Sequence, residues 1–193
     1  MARPREFDEI SVLDAAMNCF WSKGYETTSV RELADQMGIT GASLYNAFGD
    51  KRSLYRRSLE YYLEQSVRER IRLHEGSAPL EAIEAFFKEV VNRSVSDKSH
   101  RGCMLVNAAL EIDPHDPEFQ KVVAKEISSI ESFFGRCIKA GQEDGSLRRD
   151  VPAAESAKML LSVLLGVRVL ARSRPQRSLL EGAVRSALTL IRV

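Results

Sequence analysis

The sequence predicts an all-α fold of about nine helices, and three observations support this prediction. Apolar residues recur at helical spacing through most of the 193-residue chain, and no useful length of sequence alternates apolar with polar residues. Turn formers and prolines separate these segments, as in SDKSHRG, EDGSLRRDVP and SRPQ. The composition, 44% hydrophobic and 28% charged, is that of a globular protein with a substantial core.

Local signals place the first four helices. The first is predicted over residues 7–23, where an apolar stripe ends before Gly24. Ser29 and Glu32 have the spacing of a capping box and open the second helix, which Gly38 ends. Thr40 is expected to cap a third helix over 41–48, and Asp50 a fourth that runs towards His74. The stripe of the first helix consists of Ile10, Leu13, Met17, Phe20 and Trp21.

Longer apolar periodicities predict five more helices, over 79–95, 102–111, 117–143, 153–173 and 176–192. The segment DPHDP, residues 113–117, has the residue types of a metal site. However, Asp116 followed by Pro117 is also a helix N-cap with proline at the first helical position. We favour the cap, and we expect no metal and no cofactor.

Charge and cysteine content exclude several classes of protein. The formal net charge is +1, so any contact with nucleic acid must come from a local arrangement of residues. The three cysteines lie far apart without C-x-x-C spacing, which argues against a disulfide framework or a structural zinc site. The N-terminus lacks an apolar signal core, and the longest apolar run is too short to cross a bilayer. We expect a cytoplasmic protein with no membrane partner.

The second and third helices have the spacing of a helix-turn-helix. Ala34 is small where the helices would cross, Gly38 permits the tight turn, and Leu33, Met37, Ile39 and Leu44 would point inward. In this motif the second helix lies in the major groove of DNA. The alternative is an ordinary helical hairpin. In the DNA-binding interpretation, the exposed residues are Thr40, Gly41, Ala42, Ser43, Tyr45 and Asn46.

Flanking residues favour the DNA-binding interpretation. Thr28 and Ser29 lie at a helix N-terminus, where hydroxyl and N–H groups suit a phosphate. Lys51 and Arg52 begin the fourth helix and are expected to reach a neighbouring phosphate. Arg3 and Arg5 either enter the minor groove or belong to a tail without contacts.

The segment GYETTSVRELADQMGITGASLYNAFGDKRSL, Gly24 to Leu54, resembles the DNA-binding segment of TetR-family transcriptional regulators without a gap. The resemblance implies a DNA-binding domain over 1–54 and a ligand-binding and dimerisation domain over 55–193. It also implies that Tyr45 and Lys51 hold phosphates and that Thr40 to Ser43 with Asn46 face bases. Asn46 replaces a histidine that is frequent in the family. The implied function is a homodimeric repressor, released from a palindromic operator by a small-molecule effector.

The last two predicted helices are apolar on more than one face, which predicts partners on more than one side. A two-fold bundle of two chains explains this pattern better than an intrachain core, and Gly166 and Gly182 would permit close approach. Dimerisation through the last two helices is also what the TetR resemblance implies.

The segment RGCMLVNAALE, Arg101 to Glu111, resembles the sixth helix of TetR-family sensors of reactive electrophiles and acrylate-like compounds. In that interpretation Cys103 is a sensing thiol whose pKa Arg101 and His100 are expected to lower. The alternative is a small buried residue that only packs. The predicted ligand-binding residues are Phe86, Cys103, Met104, Asn107, Glu111, Phe133 and Phe134, and Phe87, Val90, Ile138 and Leu164 are expected as further pocket lining.

Two other functions compete with a DNA-binding regulator. An enzyme or redox-responsive binding protein could use Cys103 with His100 or His115, but the sequence lacks a phosphate loop, a carboxylate pair and a metal-ligand cluster. A purely structural dimer would not require an intact helix-turn-helix. We therefore expect a regulator and not an enzyme.

Overall fold

The computed structural model describes residues 8–111 and 116–193, and within these ranges the chain forms nine helices. The fourth, α4, is continuous over 51–74 and contains a π-helical turn at Glu64–Arg68 between Lys51–Leu63 and Glu69–His74. The other helices are α1 (Glu9–Lys23), α2 (Val30–Met37), α3 (Gly41–Phe48), α5 (Pro79–Ser96), α6 (Met104–Glu111), α7 (Pro117–Asp144), α8 (Ala153–Ser173) and α9 (Arg177–Ile191).

The predicted N-caps form. The side chains of Ser29, Thr40 and Asp50 accept hydrogen bonds from backbone N–H groups at 3.2, 3.1 and 2.6 Å. Asp116 likewise accepts from Phe119 N at 3.0 Å, with Pro117 at the first helical position. Each cap satisfies an orphan donor of its helix. Only one half of the predicted capping box forms, because the Glu32 carboxylate pairs with Lys23 and not with the backbone N–H of Ser29.

Helices α1 to α3 share a small core with the start of α4. Leu33, Met37 and Leu44 are buried, as predicted, and Gly38 adopts the left-handed conformation (φ 64°) that the tight turn requires. Ile39 is half-buried. The prediction for Ile10 was wrong: its side chain is 64% exposed, because the buried stripe of α1 begins at Val12.

The same core continues among helices α4 to α9, where it is larger. Four phenylalanines of α5 and α7 form its centre, with Phe87 stacked on Phe134 at a centroid distance of 5.5 Å. No helix within the described ranges is long and apolar enough to cross a membrane. The predicted arm residues Arg3 and Arg5, and His115 of the DPHDP segment, lie outside the described residues.

Candidate DNA interface and effector site

The exposed face of α3 presents small and polar side chains. Tyr45 is 52% exposed, and Thr40, Ala42 and Asn46 are also exposed, whereas Gly41 and Ser43 are half-buried. Leu44 and Phe48 anchor the opposite face in the core. The hydroxyl groups of Thr40 and Ser43 lie 2.9 Å apart at the N-terminus of the helix. Six of the predicted DNA-binding residues therefore lie on or beside one surface of α3.

Thr28 does not have the placement that the sequence suggested. Its side chain is 1% exposed, and its hydroxyl donates to the carbonyl of Gly24 at 2.7 Å. The hydroxyl stabilises the α1–α2 turn and is not available to a phosphate. Ser29 is exposed at the start of α2, although its oxygen already caps that helix.

The two basic residues at the start of α4 have different partners. The Lys51 ammonium lies 4.3 Å from the ring centroid of Tyr25. Arg52 instead binds Asp116 at the start of α7, with Nε 2.6 Å from a carboxylate oxygen. The expectation that Arg52 reaches a phosphate is thus corrected, because this guanidinium joins α4 to α7.

Cys103 lies at a small cavity that is lined by residues of α4 to α8. The cavity has a volume of about 20 Å³, which is room for about one water molecule. Its polar lining consists of Tyr62, Arg70, Cys103 and Arg168. A drug-sized ligand therefore has no preformed pocket beside the thiol.

The electrostatics of Cys103 depend on Arg168 of α8. Burial raises the pKa of the thiol, but the Arg168 charge and the Tyr62 hydroxyl, 3.5 Å from Sγ, outweigh it and hold the pKa below its ordinary value. The Arg168 guanidinium also donates to the Gly102 carbonyl and the Ser94 hydroxyl, both at 2.9 Å. Among the described residues it has no carboxylate partner. Arg168 is therefore the counter-ion available to Cys103 when the thiol ionises.

The same arrangement raises the pKa of Tyr62 to about 12, first by burial and then through the neighbouring thiol. Tyr62 thus stays a neutral donor to Cys103 at ordinary pH. Contrary to the prediction, Arg101 is not what lowers the pKa of Cys103. Its guanidinium lies 3.9 Å from the Trp21 ring and pairs with Asp97, while His100 is exposed on the preceding turn.

Of the predicted ligand-binding and pocket-lining residues, Phe86, Val90, Cys103 and Leu164 line this cavity. Met104, Phe133 and Phe134 are buried in the core away from it. Asn107 is buried, and its amide donates to the Arg101 carbonyl at 3.0 Å. Glu111 accepts a hydrogen bond from Tyr25 N at 2.8 Å, at the α1–α2 turn. Asn107 and Glu111 thus have protein partners where the sequence suggested a ligand.

Three polar residues at the cavity were not predicted from the sequence: Tyr62, Arg70 and Arg168. Arg168 carried a usable signal, because it is a charged residue in the middle of the apolar run LLGVRVLA. A buried cation on such a helix needs a partner. Tyr62 and Arg70 gave no comparable signal, since α4 is rich in both residue types.

Two family models match the chain. The model described as "Bacterial regulatory proteins, tetR family" matches residues 12–57, and the model "Tetracyclin repressor-like, C-terminal domain" matches residues 79–187. The chain belongs to the TetR family. It is a DNA-binding transcriptional regulator, a class distinct from enzymes.

Relatives agree with this assignment. The chain is 30% identical to the HTH-type transcriptional regulator YezE of Bacillus subtilis, over 99% of this chain and 100% of YezE. It is 25% identical to the HTH-type transcriptional repressor ComR of Escherichia coli, over 88% of this chain and 82% of ComR.

A solved TetR-family structure is also similar. It contains a cysteine-substituted form of the regulator CifR complexed with 26-bp double-strand operator DNA. The TM-score is 0.87 at 34% identity, over 98% of this chain and 100% of that chain.

TetR-family members are dimers. The last two helices of this chain, α8 and α9, present a face that suits contact with a second copy. On α8 and α9, Gly166 and Gly182 face open space, and a Cβ built on either has no heavy atom within 4 Å apart from its chain neighbours and the backbone of its own helix. Met159, Val163 and Leu170 beside them are half-buried, although they are apolar. A second copy of the chain would cover this surface.

Proposed function

We propose that this TetR-family regulator is a homodimeric repressor that reads a palindromic operator with α3. Thr40, Gly41, Ala42, Ser43 and Asn46 face the bases in this proposal. Residues 41 to 43 are small, which lets the helix backbone approach the groove. The phosphate contacts come from Ser29, Tyr45 and Lys51. Such a protein acts in the cytoplasm, where the chromosome lies.

Two chains associate through α8 and α9, and this association sets the distance between the two copies of α3. Recognition helices about 34 to 36 Å apart read successive major grooves. An effector that favours another distance between the recognition helices weakens binding to both half-sites of the operator together. In this scheme residues 1–54 bind DNA and residues 55–193 bind the effector and the partner, although α4 runs without a break across the division.

The effector in this proposal is a small electrophile that reacts with Cys103. The observation that carries this assignment is the Arg168 cation, which is half-buried against the thiol and has no carboxylate partner among the described residues. Addition to an activated alkene would form a bond between Sγ and the β-carbon. The alkene electron pair would move to the α-carbon, which would take a proton from water.

Such an adduct has two physical consequences. It removes the negative charge that Arg168 faces, and it adds several heavy atoms to a cavity of about 20 Å³. Overpacking of the cavity and the loss of the charge that pairs with Arg168 both destabilise the packing of the helices around the cavity. The adjoining helix α6 therefore has to move.

A polarisation titration against DNA upstream of the protein's own gene tests the proposal. The dimer should bind one fragment far more tightly than scrambled DNA of the same length, and an acrylate-type electrophile should release it. The Cys103→Ser variant should bind equally well but resist release. The absence of specific binding by a folded dimer would refute operator recognition, and equal release of the Cys103→Ser variant would refute the thiol assignment.

A further inference from the structure

Glu111, the last residue of α6, contacts the DNA-binding segment. Its Oε2 accepts a hydrogen bond from the backbone N–H of Tyr25 at 2.8 Å. Tyr25 belongs to the turn between α1 and α2, 86 positions earlier in the chain. A carboxylate of the C-terminal part thus holds the backbone of the turn that precedes the helix-turn-helix.

Gly24 lets this carboxylate come close. Its φ is +87°, which side-chain-bearing residues rarely adopt, and a Cβ built there would lie 2.7 Å from Glu111 Oε1. Both oxygens of Glu111 therefore lie against the turn, one on the Tyr25 N–H and the other over the glycine. The contact is close-packed and directional.

The ring of Tyr25 also contacts Lys51, whose ammonium lies 4.3 Å from the ring centroid. This is the distance range of a cation–π contact. The same ring packs against Tyr55 of α4, with centroids 5.0 Å apart. Burial and then the Glu111 charge raise the pKa of Tyr55, so the carboxylate also acts on this cluster electrostatically.

We infer that Glu111 is a positioning residue for operator binding, which acts through Tyr25 to hold Lys51 at the phosphate backbone. The inference rests on the proposed function, because Lys51 must be a phosphate contact. Glu111 itself touches no DNA in this arrangement. It fixes the backbone of residue 25, the ring of Tyr25 then limits where the Lys51 ammonium can lie, and a lysine held in place loses less freedom on binding.

The position of Glu111 also links this contact to the thiol. Helix α6 begins directly after Cys103 and ends at Glu111, so one rigid helix of eight residues, about 12 Å long, joins the two. A displacement at its start is transmitted to its end. Withdrawal of the carboxylate would release the turn, Tyr25 and Lys51 in sequence.

The test measures operator affinity over a series of salt concentrations, with the reduced full-length dimer and DNA from upstream of its gene. Glu111→Ala should bind several-fold more weakly than the parent. The slope of the logarithm of its binding constant against the logarithm of the salt concentration should be less steep by about 1.8. The reason is that the dimer loses two phosphate contacts, each of which contributes about 0.9 to the slope. The salt slope separates positioning from a general loss of stability, which would lower the active fraction without changing the slope.

A double-mutant cycle tests the route through Lys51. The Lys51→Ala variant should show the same loss of affinity and slope, and adding Glu111→Ala to it should cause no further loss. Glu111→Gln keeps an acceptor oxygen and should bind nearly as well as the parent. Glu111→Asp keeps the charge but shortens the side chain, so it should behave like Glu111→Ala and replaces that variant if alanine prevents folding.

Glu143→Ala is the matched control, because it removes an exposed carboxylate near the far end of α7 and should change neither affinity nor slope. Parent-like affinity in both Glu111→Ala and Glu111→Asp overturns the inference, and so does a loss that adds fully to that of Lys51→Ala. Failure of the parent dimer to bind any operator is a different result, which refutes the proposed function itself.

Discussion

Replacing Arg168 by methionine should make the buried thiol of Cys103 harder to ionise and therefore less reactive. The Arg168 guanidinium is what holds the pKa of this thiol below its ordinary value against the effect of burial. Methionine fills a similar volume but carries no charge. Burial is then opposed only by the hydrogen bonds to Sγ and should raise the pKa of Cys103, as it already raises the pKa of Cys137.

The expected change in the rate of alkylation follows from the fraction of Cys103 that is ionised. A thiol with an ordinary pKa of about 8.5 is roughly 3% ionised at pH 7, and each unit of upward shift reduces that fraction about tenfold. The parent begins below that pKa and the Arg168→Met variant ends above it. The rate of alkylation at pH 7 should therefore fall, by about tenfold for each unit by which the pKa of the variant exceeds that of the parent.

Stability should change with pH in a defined direction. Because the folded-state pKa of Cys103 is depressed, the interaction between thiolate and Arg168 stabilises the parent above the unfolded thiol pKa of about 8.5. This contribution is lost as the pH falls through the lower folded-state pKa. The Arg168→Met variant should lack this pH-dependent increase in the free energy of unfolding.

The assay is the pH dependence of iodoacetamide alkylation in a Cys19→Ala, Cys137→Ala background. This background leaves Cys103 as the only thiol. Tyr62→Phe is the control, because it removes the hydroxyl near Sγ but keeps the Arg168 charge, so its profile should shift less. If Arg168→Met alkylates at the parent rate with the same midpoint, Arg168 is not the counter-ion of the thiol.

The core, the dimer face and the DNA face provide three further predictions. Phe87→Ala should lower the free energy of unfolding by about 3 to 5 kcal/mol, because the ring is fully buried on Phe134; a loss below about 1 kcal/mol in urea unfolding would contradict this packing. Gly166→Glu should yield a helical monomer that binds the operator poorly, and a dimer in sedimentation would argue against the α8–α9 interface. Tyr45→Ala should weaken binding to every DNA sequence alike, whereas weakened binding to one sequence only would assign Tyr45 to base contacts.

The helix boundaries were largely predictable, because their signals lie within a few residues of each helix end. Asp50 and Asp116 cap the N–H groups three positions later, and Gly38 adopts the conformation that ends α2. These interactions depend on local sequence alone. The π-helical turn within α4 was not predicted, since it does not interrupt the apolar periodicity that predicts a helix.

The DNA face was predictable for the same reason, since helical periodicity assigns Leu44 to the core and Tyr45 to the surface. Thr28 was the exception. Its hydroxyl satisfies the Gly24 carbonyl within the turn, and the sequence pattern did not distinguish that internal bond from a phosphate contact.

The sequence by itself determined an all-α chain, a helix-turn-helix with its exposed positions, and two late helices too apolar to remain uncovered. These are properties of spacing along one helix. Only the tertiary structure decided that Arg168 faces Cys103 and that Glu111 holds the turn at Tyr25. Partners that are 65 and 86 residues apart meet through the packing of separate helices, and no local pattern encodes that packing.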